Sequence, residues 1–390
     1  MIANNEIIIK KLPFYWRLSN PKNKIKNVVN DFYPFCFDYN YEDGLLIQKR
    51  DKKVLKALNT IYTEEYNIGY LQDGYTISKS YGTDFINYLS KILKNNSSIK
   101  KVLEIGCGGC VILEQIKKDR LYVCGIDSSP FAATQGKKKN IEVITDFFPS
   151  KKITQKFDLI FHVDVLEHID DYKNFLKAQY EQLNDNGLIV VNVPDASESI
   201  ESGDISMAMH QHLNYFTKKS LSYILNSVGF DVISLDKAGY GGSIYATAQK
   251  KSNAKKDYMT RAKDNSYKNF VLRAKKTIDN FKSTSENIIN DPKRSLGYYI
   301  PLRTLPYLSF LNHNSNNNYR FFDDTFHWHN NIFDGVNIPI ENFSDLINSP
   351  TTDIILMSLT FEDIIKKKLQ ETFDKSINVM TLKKLTNKIK

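Results

Sequence analysis

The chain has 390 residues, of which 42% are hydrophobic and 25% are charged, a balance typical of packed globular proteins and not of disordered ones. At roughly 150 residues per domain, this length predicts two or three domains. No apolar run approaches the roughly 18 residues that a membrane-spanning helix needs. The first residues lack the pattern of a secretory signal, so we expect a cytoplasmic protein with no membrane partner.

The net charge is +9, but the basic residues are dispersed among acids and form no basic face with interleaved aromatic residues. Nucleic-acid binding is therefore not expected, whereas a phosphate-bearing small substrate suits the charge. The chain has four cysteines, Cys36, Cys107, Cys110 and Cys124. These are too few to cross-link a protein of this size and are expected to be reduced thiols.

Residues 1–82 mix short apolar pieces with prolines and are predicted to form a small irregular or strand-containing lead-in. Tyr66, Tyr70 and Tyr75 lie near its end. They are candidates for a lid over a ligand, although ordinary packing is the favoured explanation. From 83 to 93, apolar residues recur every three or four positions, which predicts an amphipathic helix.

Strand-like and helical segments alternate between residues 83 and 250. This order predicts right-handed crossovers and a mostly parallel sheet covered on both faces. The predicted strands are 102–105, 122–126, 142–145, 157–163, 188–193, 232–235 and 243–247. The fold class is therefore α/β, with a doubly wound sheet.

Residues 251–290 are rich in Lys, Asn and Ser but carry an apolar stripe at helical spacing, which predicts a helical linker. Residues 291–390 follow with strand-like segments at 296–300, 319–322 and 353–359 and a helix at 362–373. They are predicted to form a second, smaller α/β domain.

A glycine-rich turn, Gly106-Cys-Gly-Gly-Cys110, follows the first predicted strand and precedes a helix. Such a turn lets the backbone approach a ligand closely, with helix N–H groups pointing at it. The dinucleotide fingerprint would need a glycine at position 111, where this chain has Val111, so a pyrophosphate-binding turn is disfavoured. The pattern indicates a nucleotide-like cofactor.

Acidic residues follow the next two predicted strands. Asp127 ends the second strand, where a carboxylate can accept both hydroxyls of a ribose; capping the next helix is the alternative. Asp146 and Phe147 follow the third strand and can bind an adenine amino group and cover its ring. The alternative is a loop aspartate beside a core phenylalanine.

These features, together with Val165-Leu-Glu-His-Ile169 after the fourth strand, resemble the class I S-adenosylmethionine-dependent methyltransferases over residues 100–250. The resemblance implies a Rossmann-like fold and S-adenosylmethionine as cofactor. The resemblance also implies which residues bind each part of the cofactor. By their positions, Glu104, Gly106 and Gly108 would bind the methionine end, Asp127 the ribose, and Asp146 and Phe147 the adenine, and His162 would lie near the sulfonium. Glu167-His168 matches the family's helix-start pair, which is expected to fix local structure.

A second resemblance is carried by Met209-His-Gln-His-Leu-Asn-Tyr-Phe216, Gly241-Gly-Ser-Ile244 and the C-terminal unit. These are similar to the C-methyltransferases of deoxysugar biosynthesis, which implies a nucleotide-linked sugar as the small-molecule substrate. Gln211 stands where that family has Glu, and Tyr245 where it often has Arg, so carbon and oxygen both stay open as acceptors. The C-terminal unit would dock the nucleotide or mediate self-association into a homo-oligomer.

That family also has a zinc-binding N-terminal piece. Only Cys36 remains of its cysteines, and one cysteine cannot complete a four-ligand site. No metal is therefore expected.

His212 is the candidate general base, since an imidazole of near-neutral pKa can take the acceptor's proton. His210 is its expected neighbour on the same side of an extended segment. Either histidine could instead hydrogen-bond a loop carbonyl. Tyr215 could orient the acceptor or merely pack.

Two other classes of function compete with this interpretation. A nucleotide-dependent sugar oxidoreductase or epimerase would need the pyrophosphate turn that Val111 argues against. A non-catalytic scaffold could keep the fold without turnover.

Overall fold

The structure is a computed structural model that describes residues 6–22, 28–63, 76–118, 120–251, 266–312, 319–372 and 377–387. The strands are β1 (Ile8–Pro13), β2 (Leu18–Ser19), β3 (Phe32–Asn40), β4 (Leu45–Gln48), β5 (Lys101–Ile105), β6 (Tyr122–Asp127), β7 (Glu142–Thr145), β8 (Phe157–Val163), β9 (Leu183–Pro194), β10 (Asn214–Tyr215), β11 (Phe230–Lys237), β12 (Ser243–Lys250), β13 (Leu296–Tyr299), β14 (Tyr319–Asp323), β15 (Ile332–Phe333), β16 (Ile340–Asn342), β17 (Asp353–Leu356) and β18 (Asn378–Thr381).

The helices are α1 (Lys52–Tyr62), α2 (Thr76–Asn95), α3 (Val111–Ile116), α4 (Pro130–Lys138), α5 (Tyr172–Gln182), α6 (Ser197–Ser202), α7 (Lys218–Val228), α8 (Ser266–Ile289), α9 (Pro301–Leu308), α10 (Glu362–Thr372) and α11 (Leu382–Asn387). Among the described residues, no helix combines the length and the apolar character needed to cross a membrane.

The chain forms two compact units. The cofactor unit, as we call it, comprises Tyr39–Asp195 and Gln211–Asp264, and the second unit comprises Met1–Asp38, Ala196–His210 and Asn265–Lys390. The predicted domains are consecutive segments, whereas the observed units alternate along the chain.

The return of residues 196–210 to the second unit explains that alternation. Gly203 has φ +73°, and a Cβ there would collide with the backbone of Arg273, so α6 and α8 pack at close range. Tyr307 ties the same segment down by donating to Asp204 at 2.9 Å.

The cofactor unit is built on a seven-stranded sheet in the order β11-β12-β9-β8-β5-β6-β7. Strands β5 to β9 are mutually parallel, and β12 runs antiparallel to both β9 and β11. This is the predicted doubly wound α/β sheet, with all seven predicted strands present. The sheet could be predicted from the alternation of strands and helices, because a helix that connects two neighbouring strands makes them run parallel.

Helices cover both faces of that sheet, and each face has an apolar core. On one face, α2 and α3 bury Phe85, Leu89, Ile112 and Leu113 against Leu159 and Phe161 of β8. On the other, α5 and α7 bury Phe175, Leu176, Leu221 and Ile224 against Ile160 and Ile189. The burial of β8 and β9 on both sides explains their nearly continuous apolar sequences.

The second unit contains a five-stranded sheet in the order β16-β14-β13-β17-β18, with every pairing parallel. It is the predicted smaller α/β region, to which the structure adds β16 and β18. Both strands are short and mix polar with apolar residues, so neither shows a strand pattern in the sequence.

The predicted helix within 251–290 is α8, but it is not an exposed linker. Its apolar stripe, including Phe270, Val271, Ala274 and Ile278, is buried within the second unit. The lead-in is also more regular than expected, because β1 pairs antiparallel with β3 in the second unit and β4 pairs antiparallel with β10 in the cofactor unit.

Candidate cofactor and acceptor site

The glycine-rich turn joins β5 to α3 at the carboxyl edge of the sheet. Gly106 has φ +72° and Gly108 has φ +45°, conformations that glycine adopts at little cost. The Gly106 N–H donates to the Ile126 carbonyl at 2.8 Å, which fixes the turn against β6. Cys110, where the family usually has a third glycine, is itself left-handed at φ +56° and occupies the N-cap position of α3 without a side-chain hydrogen bond to the helix.

Gly106→Ala is expected to lower the free energy of unfolding by about 1–3 kcal/mol and to weaken cofactor binding. An alanine Cβ would stand 2.7 Å from Cγ2 of Val165 and would keep the unfavourable φ. Urea denaturation measures the first effect and titration with S-adenosylhomocysteine the second. Adding Val165→Ala removes the collision but not the backbone strain, so it should restore only part of the loss. Unchanged stability and affinity in the single variant would contradict this assignment.

Glu104 lies near the end of β5 and is 3% exposed. Its Oε2 has no hydrogen-bond partner among the described residues. Burial raises the pKa of this carboxyl, and the nearby Cys110 and Asp127 add to the effect. A buried acceptor without a partner at the cofactor edge fits an ammonium group such as the methionine end of S-adenosylmethionine carries.

Asp127 ends β6 and accepts two backbone hydrogen bonds, from Gly108 N–H at 2.9 Å and from Ser129 N–H at 2.8 Å. Burial raises its pKa, and these two bonds oppose the shift. Ser129, not Asp127, is the N-cap of α4, so the capping alternative does not account for Asp127. Its carboxylate has acceptor capacity left for ribose hydroxyls.

Asp146 and Phe147 follow β7. The Asp146 carboxylate accepts from Phe147 N–H at 2.9 Å and from the Ser150 hydroxyl at 2.7 Å, and Lys152 lies 3.4 Å away. The Ser150 bond is the largest influence holding the pKa of Asp146 below its usual value. Phe147 is 47% exposed, so it is not the core phenylalanine of the alternative interpretation, and its ring face is available to an adenine.

His162 lies in β8 and is completely buried, with its ring 5.5 Å from that of Phe175 beneath α5. Neither ring nitrogen has a hydrogen-bond partner among the described residues. Burial lowers the pKa of this imidazole to about 3. The resemblance implies a place near the sulfonium, and in this structure the side chain faces the apolar layer under α5.

The buried His162 predicts a specific acid sensitivity. Because its folded pKa lies below the unfolded value, stability is lost as pH falls from 6.5 towards 3. At pH 4.5 the loss should be about 2–3 kcal/mol, and His162→Leu should remove it. Urea denaturation of both proteins at pH 7 and pH 4.5 tests this. Parallel pH dependences would show that His162 is not a buried neutral imidazole.

A polar network at the ends of β8 and β9 was not anticipated from the sequence. Tyr81 donates to Asp164 at 2.8 Å, accepts from the Asn192 amide at 2.7 Å, and lies 3.1 Å from the Ser243 hydroxyl. Asp164 has φ +52°, and burial raises its pKa to about 6. Tyr81 is distant in sequence from its partners, so no local pattern signals this network.

Three side chains meet just beyond β8, in what we call the Glu-His-His cluster: Glu167, His168 and His212. Their potential ligand atoms all lie within 4.8 Å of one another. The rings of His168 and His212 are 5.1 Å apart, and Tyr215 lies 6.4 Å from His212. Burial lowers the pKa of His168 to about 4 and raises that of Glu167 well above its usual value.

His210 lies in the second unit. A turn at residues 210 and 211 replaces the expected extended segment. His210 is 2% exposed and packs against the rings of Phe14, Tyr33 and Phe35 at 5.2–5.9 Å.

Two further features of the sequence analysis concern Tyr245 and the three lid candidates. Tyr245, at the position where the deoxysugar family often has Arg, donates to Asp84 at 2.9 Å. Asp84 also accepts from the backbone of Gly239 at 2.8 Å, so the pair fixes the turn before β12. The lid candidates Tyr66, Tyr70 and Tyr75 lie outside the described residues.

Residues 78–235 match the family model described as a methyltransferase domain. The chain is similar to the mitochondrial ubiquinone biosynthesis O-methyltransferase of Schizosaccharomyces pombe, with 26% identity over 49% of this chain and 72% of that protein. It is also similar to the ubiquinone biosynthesis O-methyltransferase of Pelagibacter ubique, with 30% identity over 26% of this chain and 45% of that one.

Among solved structures, the N-methyltransferase NodS from Bradyrhizobium japonicum in complex with S-adenosylhomocysteine aligns at a TM-score of 0.38 and 16% identity, over 50% of this chain and 98% of that one. The methyltransferase family model and the curated relatives identify this part of the chain. The parallel sheet, the glycine turn and the acids after β6 and β7 agree with that match. Residues 78–235 therefore form a methyltransferase domain, and the chain is an S-adenosylmethionine-dependent methyltransferase.

Proposed function

We propose that this enzyme transfers a methyl group from S-adenosylmethionine to a sugar, in particular a nucleotide-linked one, and that His212 takes the acceptor's proton. The observation that carries the mechanistic part is the position of His212 beside His168 in the Glu-His-His cluster. Glu167 and His168 lie in the 3₁₀ turn Leu166–His168, a few residues after β8, whose carboxyl end belongs to the same sheet edge as Gly106 and Asp127. A cofactor at that edge would present its methyl group near the cluster.

The chemistry follows from the sulfonium. The acceptor's electron pair forms the new bond to the methyl carbon, while the carbon–sulfur bond breaks and its electron pair stays on sulfur. The acceptor must be held in line with the methyl group, and its proton must leave during or before attack. His212 accepts that proton, a contribution worth typically 10²- to 10⁴-fold.

The sugar acceptor is supported by the resemblance of residues 209–216 and 241–244 to the deoxysugar methyltransferases. The net charge of +9 suits the phosphates of a nucleotide-linked substrate. Transfer to oxygen is supported by the curated relatives, which are O-methyltransferases by name. Transfer to carbon would need a ketone beside the acceptor carbon, because only then is the carbanion stabilised.

The test is incubation of the full chain with labelled S-adenosylmethionine and a panel of keto and hydroxy nucleotide sugars, with mass spectrometry locating the added methyl group. Label in a sugar is expected. Label in a hydroxy sugar that lacks a ketone assigns the reaction to oxygen, and label on a carbon next to a ketone assigns it to carbon. Cofactor binding without transfer to any sugar, while a quinol or phenol is methylated, would contradict the proposed substrate class.

A further inference from the structure

The guanidinium of Arg50 lies beside the chain segment that carries His212. Arg50 comes just after β4, and its Nη1 donates to the Leu213 carbonyl at 2.8 Å, while its Nη2 donates to Oδ1 of Asn214 at 3.0 Å. Leu213 and Asn214 are the two residues that directly follow His212. A cationic side chain from a distant part of the sequence thus holds the chain next to the proposed base.

The same guanidinium also contacts two other segments. Its Nε donates to the Asp170 carboxylate at 2.5 Å, and its Nη2 donates to the Asp170 carbonyl at 3.3 Å, just beyond the 3₁₀ turn. Its Nη1 donates in addition to the carbonyl of Gln48, the last residue of β4, at 2.8 Å. A guanidinium has five N–H donors in a fixed plane, and these contacts give each donor of Arg50 an acceptor.

Asn214 connects the guanidinium to the 3₁₀ turn itself. Its side chain is buried, at 1% exposure. The side-chain nitrogen donates to the Ile169 carbonyl at 2.7 Å and to the Leu166 carbonyl at 3.2 Å, while the side-chain oxygen accepts from Arg50. The place of His212 beside the turn therefore depends on the residue two positions after it and on the donor that orients that residue.

Backbone pairing alone restrains this segment weakly. β10 consists of two residues, Asn214–Tyr215, and pairs antiparallel with β4, so its ladder supplies few hydrogen bonds. The Leu213 carbonyl accepts from Gln48 N–H at 3.0 Å as well as from Arg50. Hydrogen bonds from a charged donor are stronger than those from a neutral one. The guanidinium is therefore expected to be the main restraint on the residues after His212.

We propose that Arg50 is a positioning residue, which holds the segment of His212 where this imidazole can take the acceptor's proton. The role rests on the proposed function, because Arg50 acts through His212 and its own N–H groups already have acceptors within the chain. A general base must lie within hydrogen-bond reach of the proton that it takes, and a displacement of about 1 Å can cost about 10²-fold in rate. A looser segment should therefore lower turnover and leave cofactor binding intact.

Arg50→Lys tests this role, because it keeps the positive charge but replaces a planar group of five donors with three donors on one nitrogen. Hydrogen exchange of the full chain, saturated with S-adenosylhomocysteine, is followed by mass spectrometry. The Leu213 amide donates to the Glu167 carbonyl, and we expect it to exchange about tenfold faster or more in the variant. Peptides from β5 and β6 should exchange as in the parent chain, whereas a general loss of stability would speed exchange in both places.

Arg320→Lys is the matched control. Arg320 also uses its planar group, donating from Nε and from Nη2 to the two carboxylate oxygens of Glu341 at 2.7 Å each, but in the second unit. This variant should leave both the exchange of the Leu213 amide and the turnover unchanged. With whichever acceptor of the panel is methylated, Arg50→Lys should lower kcat by about tenfold or more and leave the KM for S-adenosylmethionine within about threefold.

Asp170→Ala is a second variant, which decides the matter if Arg50→Lys does not fold. The Asp170 side chain is 55% exposed, so its removal should be tolerated, and it deprives the Nε of Arg50 of its acceptor. We expect the Leu213 amide to exchange about threefold faster or more in this variant. Exchange equal to that of the parent chain would contradict the positioning role.

Equal exchange of the Leu213 amide in Arg50→Lys and the parent chain would overturn the positioning role, and so would an unchanged kcat. The proposed function fails separately. If Arg50→Lys exchanges faster and has a lower kcat with a quinol or phenol, while no sugar is methylated, the positioning role stands and the proposed substrate class is wrong. If both chains methylate a sugar with the same kcat, only the role of Arg50 is wrong.

Discussion

Replacing His212 by alanine is expected to abolish methyl transfer while the affinity for S-adenosylhomocysteine stays within a few-fold. The residues assigned to the methionine end, the ribose and the adenine lie on or directly after β5, β6 and β7, whereas His212 lies in the Glu-His-His cluster beyond β8. Loss of the group that activates the acceptor should reduce turnover by about 10²- to 10⁴-fold. Turnover is measured with labelled cofactor and affinity by calorimetric titration of the product.

His327→Ala is the control for this experiment, since it removes an exposed histidine from the second unit and should leave both values unchanged. Unchanged turnover in His212→Ala would remove His212 from the mechanism. A parallel collapse of product affinity would instead show that the substitution acts by disordering the cofactor edge.

Asp127→Asn should have the largest effect on cofactor binding. Asparagine keeps the size of the side chain but loses the charge, and its amide nitrogen would face one of the two backbone donors, Gly108 N–H or Ser129 N–H, which bond different carboxylate oxygens. Hydrogen bonds to a charged carboxylate contribute about 1.5–3 kcal/mol each. Loss of the ribose bonds should therefore weaken S-adenosylhomocysteine binding by about 10²-fold or more.

Asp158→Asn is the matched control for Asp127→Asn. Asp158 also accepts two backbone N–H groups, from Lys100 at 2.8 Å and Lys101 at 3.0 Å, but it lies near the start of β8, at the opposite edge of the sheet. Its variant should cost stability and leave affinity within about threefold. Equal losses of affinity in the two variants would mean that Asp127 acts on the fold and not on the ribose.

The shared position of the proposed cofactor-binding residues could be predicted because its signals are local. A strand, a glycine turn and a helix are contiguous in the sequence, and the carboxyl ends of parallel strands meet at one edge. Gly106, Gly108 and Asp127 therefore lie together as soon as β5 and β6 are paired in parallel. His162 shows the limit of this reasoning, because its position in β8 follows from the pattern but the face that it occupies depends on packing against Phe175.

The acceptor half depends on contacts between distant segments. Glu167 lies close to His212 because the Leu213 N–H donates a hydrogen bond to the Glu167 carbonyl in the turn after β8. Tyr81, in α2, donates a hydrogen bond to Asp164. No periodicity in the sequence encodes such contacts. The surroundings of His210 could not be predicted for a similar reason, since Phe14 and Tyr33, whose rings contact it, are far away in sequence.

The central claim is that S-adenosylmethionine lies across the carboxyl edge of the seven-stranded sheet. A crystal structure of the full chain soaked with S-adenosylhomocysteine tests it most directly. We expect the ribose hydroxyls within hydrogen-bond distance of Asp127, the adenine beside Phe147, and the sulfur directed towards the Glu-His-His cluster. A crevice that stays empty at saturating ligand, or that is filled by the chain's own side chains, would contradict the account.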